Sequence, residues 1–166
     1  MNSQMQNQVK ITNKINPFNK TIEVASDKSL SIRAVLLASQ AIGVSKISNI
    51  LESEDVLNAI KSIKKLGIEC KKIGRQYRIL GYGLNGFNIK KKTTIYAGNS
   101  GTFARLILGL LVKIDKVVKV TGDKSLSKRD FSRITEPLKK FGINIKSRSS
   151  SLPVEILGSE FLRPIN

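Results

Sequence analysis

The sequence predicts a mixed fold of the α/β or α+β class, built from two copies of one unit with the element order βαβαββ. The chain repeats itself at an offset of a little over 70 residues: Arg33 matches Arg105, and Lys64–Lys71 matches Lys139–Lys146. Each copy alternates short β-branched runs with longer segments of helical periodicity. This pattern indicates two similar units in which helices cover the apolar faces of the sheets.

The first copy contains the clearest helix of the chain. Over residues 54–66 the apolar side chains fall on one face, with lysines opposite, and Gly67 suits the left-handed residue that ends many helices. The β-branched run at 21–25 predicts the first strand. The predicted strands of this copy are 21–25, 44–50, 68–73 and 76–80, and its predicted helices are 29–42 and 54–66.

The second copy repeats these elements. Gly142 takes the position of Gly67, after a helix and before a strand. Pro137 lies within the fourth predicted helix, so we expect that helix to be kinked or shortened. The boundary between the copies lies near residue 90, which predicts units over 20–90 and 91–166. The predicted strands of the second copy are 93–96, 116–121, 143–147 and 153–157, and its predicted helices are 102–112 and 128–141.

The composition excludes several kinds of catalytic chemistry. The 166 residues include no histidine and one cysteine, Cys70. A Ser-His-Asp triad, a histidine base, an imidazole metal site and an internal disulfide therefore cannot form within this chain. Its chemistry depends on lysine, arginine, hydroxyl, amide, carboxylate and backbone groups.

The net charge of +17, from 29 basic and 12 acidic residues, suits an anionic partner, and the coding bias of an AT-rich genome toward lysine is the alternative explanation. Nucleic acid is one such partner, because a strongly basic protein attracts phosphates regardless of sequence. Aromatic residues make up only 5%, and none alternates with basic residues as a base-stacking surface requires. Small anionic substrates explain the charge more simply, and a basic binding module for nucleic acid or a partner subunit is the alternative.

No segment of the sequence predicts a membrane span. The longest apolar stretch, Leu106–Val112, is far shorter than the roughly 20 residues that a membrane helix needs. The polar N-terminal segment lacks the apolar core of a signal peptide. The sequence therefore predicts a cytoplasmic protein without membrane contact.

Three polar turns, each predicted to lie between a strand and a helix, contain the candidate site residues. The first holds Lys28 and Ser29 at a helix N-terminus, with Arg33 one turn later on the same face. Helix N-termini suit anions, and these side chains add a point charge, a hydroxyl and a planar fork for carboxylate or phosphate. The alternative is that Asp27 or Ser29 simply caps the helix. The other two turns are Gly98–Thr102, followed by Arg105, and Gly122–Leu126, followed by Arg129.

In order and spacing, these turns resemble the substrate-binding motifs of the 5-enolpyruvylshikimate-3-phosphate (EPSP) synthases, over about residues 15–164. The resemblance implies a transferase of aromatic amino-acid biosynthesis that needs no metal or organic cofactor. It moves the enolpyruvyl group of phosphoenolpyruvate onto the 5-hydroxyl of shikimate 3-phosphate. The sister UDP-N-acetylglucosamine enolpyruvyl transferases are the alternative within this fold, but they carry Lys-Asn where this chain has Lys28-Ser29.

The resemblance also implies roles for individual residues. Arg105 is implied to support the site without taking part in the reaction. Glycine at position 101 goes with sensitivity to glyphosate, so a complete enzyme with this loop is implied to be a glyphosate target. The implied ligands of shikimate 3-phosphate are Lys28, Ser29 and Arg33, and those of phosphoenolpyruvate are Lys28, Asn99, Gly101 and Arg129.

The resemblance further implies that the chain is incomplete. EPSP synthases have two lobes of three such units each, arranged as an inside-out α/β barrel, and this chain holds two of the six units. Residues 1–19 are expected to pack with the second lobe, which supplies the carboxylates for proton transfer and is needed in cis or in trans. We therefore expect no catalytic residue in this portion and no turnover by the chain alone.

The carboxylates near the three turns are predicted not to replace the absent ones. Asp130 and Phe131 follow Arg129, where the family usually has proline and then methionine or isoleucine. An aspartate at that position is expected to dampen the charge of the neighbouring arginine. Three further carboxylates are predicted to be cap or turn residues: Asp27, Asp55 and Asp123.

Overall fold

A computed structural model describes residues 19, 21 and 24–164 of the chain, and these form helices and strands in the predicted alternation. Among these residues, no helix has the length and apolar character that a bilayer crossing needs. The helices are α1 (Lys28–Gln40), α2 (Glu54–Lys65), α3 (Gly101–Leu110) and α4 (Ser132–Lys140), with a 3₁₀ turn at Leu126–Lys128. The strands are β1 (Ile42–Ser48), β2 (Glu69–Ile73), β3 (Gln76–Tyr82), β4 (Thr93–Tyr96), β5 (Val118–Thr121), β6 (Asn144–Ser147) and β7 (Val154–Leu157).

The two sheets share one strand order, which confirms the predicted repeat. The first is antiparallel, with the order β1-β3-β2. In the second, β5-β7-β6 reproduces that order, and β4 pairs in parallel with the outer edge of β5. The parallel pair requires a crossover connection, and α3 provides it. The predicted mixed α/β fold class is therefore confirmed.

The two glycines that match in the repeat end matching helices. Gly67 follows α2 with a φ of 91°, and Gly142 follows α4 with a φ of 93°. The next residue in each copy, Ile68 or Ile143, donates its N–H to a carbonyl five residues back, at 3.1 Å in both cases. This is the C-terminal motif that a left-handed glycine permits, and it turns each helix directly into a strand.

Several predicted boundaries differ from the structure. The helix predicted over 29–42 ends at Gln40, because β1 begins at Ile42 and pairs with β3 there, two residues before its predicted start. The strand predicted over 21–25 lies partly outside the described residues, and those described within it are in no strand. The segment predicted over 1–19 lies outside the described residues, except for residue 19.

A further difference, at the start of α4, matters for the site. The helix predicted over 128–141 begins only at Ser132. The Asp130 carboxylate accepts hydrogen bonds from the Ser132 N–H at 2.9 Å and the Ser132 hydroxyl at 2.6 Å. Such a local side-chain bond competes with helical hydrogen bonding. Arg129 consequently lies in extended backbone, with φ −78° and ψ 146°, and not on the helix.

Helix α2 joins the two sheets, because it packs against β2 of the first and β4 of the second. Its buried apolar side chains belong to one continuous core that also contains Phe103 and Phe131 of the second copy. Polar side chains of α2 bind the second copy directly. Ser62 Oγ donates to the Tyr96 carbonyl at 3.2 Å, and Lys65 Nζ donates to the Thr94 carbonyl at 3.1 Å. These contacts fix β4, and the loop that follows it, relative to α2.

Candidate anion-binding site

The N-terminus of α1 is capped by Asp27, whose Oδ1 accepts a 2.7 Å hydrogen bond from the Leu30 N–H. The capping alternative considered for Asp27 is therefore confirmed, and Lys28 and Ser29 are the first two residues of the helix. Arg33 lies four residues after Ser29, which places both side chains on the same side of α1. Arg33 is exposed and Ser29 is half-buried, so an anion in solution can reach this side of the helix.

Lys28 is tied to the second copy of the repeat through Asp55. Its ammonium donates to Asp55 Oδ2 at 2.8 Å, and the other carboxylate oxygen, Oδ1, accepts the backbone N–H of Asn99 at 3.1 Å. The Asp55 side chain is 12% exposed and the Lys28 side chain 49%. One buried carboxylate thus links the start of α1 to the loop that precedes α3, while the Lys28 side chain stays half-exposed.

The loop before α3 approaches α2 closely. Gly98 has a φ of 59°, and a Cβ there would lie 2.8 Å from Asn58 Nδ2 and 3.0 Å from Asp55 Oδ1. Ser100 then caps α3, since its Oγ accepts the Phe103 N–H at 3.0 Å. Glycine at 98 is required both by the backbone conformation and by this close contact.

Asn99 is also the centre of a side-chain network. Its Oδ1 accepts a 2.7 Å hydrogen bond from the Arg129 guanidinium, and its Nδ2 donates to Asp123 Oδ2 at 2.7 Å. Asp123 Oδ1 accepts the Leu126 N–H at 2.6 Å. That backbone hydrogen bond, followed by the bonds from Asn99 and Ser125 and the charge of Arg129, lowers the pKa of Asp123. Asp123 is therefore ionised at neutral pH, and its predicted role as a turn residue is confirmed.

The segment that carries Arg129 is supported by Arg105. The Arg105 guanidinium donates to the Asp130 carbonyl at 3.1 Å and lies 5.0 Å from the centre of the Phe131 ring, which is fully buried. A Cβ on Gly101 would lie 2.8 Å from Arg105 Nη1 and 3.2 Å from Arg129 Nη1. Gly101 therefore leaves the space that the two guanidinium groups occupy.

The Asp130 carboxylate is directed at Ser132 and not at Arg129. The hydrogen bond from the Ser132 hydroxyl, followed by that from the Ser132 N–H, lowers the pKa of Asp130. This carboxylate forms no salt bridge with Arg129. No direct contact between Asp130 and Arg129 therefore supports the predicted dampening of the Arg129 charge. The Asp130 carboxylate instead binds Ser132 at the start of α4.

The structure connects the residues predicted to bind phosphoenolpyruvate, and it leaves two of the residues predicted to bind shikimate 3-phosphate apart from them. Short contacts connect Lys28, Asn99 and Arg129, with Gly101 beside Arg129. Arg33 lines a groove between α1 and α3, together with Leu37 and leucines of α3. The described contacts thus join the residues implied for phosphoenolpyruvate, whereas Ser29 and Arg33 remain on the open side of α1.

Asp55 is the residue that the sequence interpretation missed. It was predicted to be a cap or turn residue, which is wrong: Ser53 is the N-cap of α2, and Asp55 lies inside its first turn, 9% exposed. The signal was present in the sequence, because Asp55 falls on the apolar face of that helix. A carboxylate at a buried position requires a charged or hydrogen-bonding partner.

Fold and site together define the class: a protein with two copies of an αβαββ unit that brings a lysine and an arginine to one loop. The family model of EPSP synthase (3-phosphoshikimate 1-carboxyvinyltransferase) matches residues 12–166. The 3-phosphoshikimate 1-carboxyvinyltransferases of Ruthia magnifica subsp. Calyptogena magnifica and Streptococcus pyogenes serotype M2 are 40% and 39% identical over 91% and 95% of this chain. The chain therefore belongs to the EPSP synthase family.

A solved structure shows the same fold. The EPSP synthase of Acinetobacter baumannii matches 87% of this chain with a TM-score of 0.78 and 32% sequence identity. The chain spans about a third of these proteins: 34% and 37% of the two curated relatives and 33% of the Acinetobacter chain. Two thirds of each relative therefore has no counterpart in this chain.

Proposed function

We propose that this chain supplies one side of the active site of an EPSP synthase. In that reaction the 5-hydroxyl oxygen of shikimate 3-phosphate bonds to the phosphate-bearing carbon of phosphoenolpyruvate, the carbon–oxygen bond to the phosphate breaks, and the hydroxyl proton leaves with the phosphate. The second lobe, in cis or in trans, supplies the groups that transfer protons. The chain alone binds substrates but does not turn over, and its predicted cytoplasmic location stays a prediction.

The observation that carries the proposal is the convergence of two cations from different copies of the repeat on one loop. Arg129 contacts the side chain of Asn99, and Lys28 reaches its backbone through Asp55. Phosphoenolpyruvate carries a carboxylate and a phosphate, so it needs more than one fixed cation. Cationic groups already held in place stabilise charge without the reorganisation that water would require.

The proposed roles follow from these positions. Lys28 contacts both substrates, because it lies where α1 meets the loop of the second copy. Arg129 binds the anionic end of phosphoenolpyruvate, with Asn99 and Gly101 shaping the space around it and Arg105 supporting the segment. Ser29 and Arg33, on the open side of α1, bind the phosphate of shikimate 3-phosphate as a hydroxyl donor and a bidentate fork.

An amide NMR titration of the chain with each substrate tests the proposal. We expect shikimate 3-phosphate to shift the amides of Lys28, Ser29 and Arg33, and phosphoenolpyruvate to shift those of Asn99 and Gly101. Sulfate at equal ionic strength controls for general charge. Lys28→Ala should weaken binding about tenfold, whereas Lys61→Ala, at an exposed site on the far face of α2, should leave it unchanged.

A chimaera tests the activity itself. Residues 12–166 replace the matching segment of the Streptococcus pyogenes relative, and phosphate release is measured with both substrates. We expect the chimaera to release phosphate and to be inhibited by glyphosate. We expect no phosphate release by the 166-residue chain alone. A folded chimaera without activity, together with a chain that ignores both ligands, would reject the proposal.

A second candidate function, a basic module that binds nucleic acid, is favoured by one observation. On the exposed face of the first sheet, Arg78 is paired directly with Lys46 of β1 and Lys71 of β2. Like charges at directly opposite positions repel, and a polyanion would relieve that repulsion. Two observations together would support this function. DNA binding should fall steeply with salt and survive Lys28→Ala and Arg33→Ala. It should be lost when the three basic residues of the sheet are replaced together, by Lys46→Gln, Lys71→Gln and Arg78→Gln.

A further inference from the structure

We propose that Asp55 is a positioning residue, which sets the Lys28 ammonium and the Gly98–Gly101 loop in the geometry that the two substrates need. The inference rests on the proposed function, since it concerns how that same site is organised. Asp55 contacts no substrate under this proposal and acts through Lys28 and Asn99.

The geometry gives each carboxylate oxygen one partner. Oδ2 accepts from Lys28 Nζ at 2.8 Å, and Oδ1 accepts from the Asn99 N–H at 3.1 Å. The partners lie in different copies of the repeat, 27 and 44 residues away in sequence. A change in the orientation of this one carboxylate therefore moves both the Lys28 ammonium and the loop at Asn99.

Lys28 needs such a partner because its stem is flexible. A lysine ammonium is a point charge on four methylene groups, with three donors that can rotate freely. Asp55 takes one donor and leaves two for anionic ligands, and the Lys28 side chain is half-exposed. Holding a charged group in place ahead of binding removes an ordering cost that the ligand would otherwise have to overcome.

Positioning and simple electrostatics predict opposite effects when the charge of Asp55 is removed. The carboxylate is negative and lies beside a site for negative ligands. If Asp55 acted only through its field, Asp55→Asn would tighten the binding of both anions. If it positions Lys28, the same change weakens binding, because the ammonium loses its charge-assisted bond and its orientation.

The test compares Asp55→Asn with two controls by calorimetric titration of the chain with phosphoenolpyruvate and shikimate 3-phosphate. Glu54→Gln removes the same charge from the neighbouring, exposed position in the first turn of α2. Lys28→Ala, alone and with Asp55→Asn, completes a double-mutant cycle. We expect Asp55→Asn to weaken binding of each substrate about tenfold, Glu54→Gln to change neither, and Asp55→Asn to add nothing once Lys28 is alanine.

The loop side of the proposal is tested without ligand, by hydrogen exchange at the Asn99 amide. Asp55→Asn retains an acceptor oxygen and should leave that amide protected, whereas Asp55→Ala should expose it. Binding by Asp55→Asn that equals or exceeds that of the parent, or additive effects of Asp55→Asn and Lys28→Ala, would overturn the inference. If the parent chain binds neither substrate, the same variants are compared in the chimaera, and an inactive, folded chimaera would instead reject the proposed function.

Discussion

The Arg129 guanidinium donates a 2.7 Å hydrogen bond to the side-chain oxygen of Asn99, and that bond holds the arginine without neutralising it. The other end of the Asn99 amide donates to the ionised Asp123, which fixes its orientation. A carboxylate in place of Asn99 would form an ion pair with Arg129 and compete with any anionic ligand. The neutral amide leaves the full charge of Arg129 available for binding.

Asn99→Asp should therefore weaken phosphoenolpyruvate binding about tenfold or more. The new carboxylate pairs with Arg129 and also lies beside Asp123, whose like charge repels it. Calorimetry with phosphoenolpyruvate measures the effect, and shikimate 3-phosphate, bound through α1, provides the control ligand. Unchanged affinity for phosphoenolpyruvate would show that Arg129 does not bind it.

Gly101→Ala should weaken phosphoenolpyruvate binding about tenfold with the fold retained. The added methyl group would lie 2.8 Å from Arg105 Nη1 and 3.2 Å from Arg129 Nη1, so both guanidinium groups must move. Gly109→Ala, in the same helix, is the matched control because a Cβ there meets nothing within 4 Å. That control should stabilise the chain by up to about 1 kcal/mol, and equal effects of the two changes on binding would contradict the prediction.

The network of Asp123, Asn99 and Arg129 should persist in acid. The pKa of Asp123 is lowered from its ordinary 3.8, chiefly by the Leu126 N–H. Because the pKa of Asp123 is lower in the folded state, its ionised carboxylate contributes fully to stability above pH 3.8. That contribution is lost only as the pH falls through the lowered pKa. The side-chain amide signals of Asn99, followed by NMR against pH, should move only below 3.8. In Asp123→Asn that transition should be absent.

Tyr77 should contribute to stability up to an unusually high pH. Burial, followed by the hydrogen bond that its hydroxyl donates to Glu52 at 2.9 Å, raises its pKa from 10.0 to about 12. The contribution is complete below pH 10 and is lost as the pH rises from 10 to about 12. Near-ultraviolet titration should show one late tyrosinate step that Tyr77→Phe removes. The free energy of unfolding of Tyr77→Phe, measured with urea, should lack the decrease between pH 10 and about 12 that the parent shows.

Local chemistry made most of the fold predictable. The β-branched run at 93–96 is β4 with the predicted bounds, and the amphipathic pattern over 54–66 is α2 within one residue. Gly67 and Gly142 end their helices as predicted, because only glycine enters the left-handed region without strain. The start of α4 was not predictable from periodicity, because the hydrogen bonds that the Asp130 carboxylate accepts from Ser132 displace it.

The site was less predictable than the fold, because its main contacts are long-range. The motifs placed Lys28 at a helix N-terminus and Asn99 in the turn before a helix, as the structure has them. Arg129 was predicted inside a helix and lies in extended backbone before α4. The periodicity of α2 put Asp55 on the buried face, but it contained no information about which groups would meet the carboxylate. Those partners are 27 and 44 residues away, and only the packing of α2 against β4 brings them together.

That packing also bears on the order in which the chain becomes structured during synthesis. The first sheet closes entirely within residues 42–82, so it can form while the second copy is still being translated. On that order of folding, Ser62 and Asp55 of α2 would be in place before the β4 backbone and the Asn99 N–H that they bind. We therefore expect the earlier copy of the repeat to become structured first and the later copy to assemble on it.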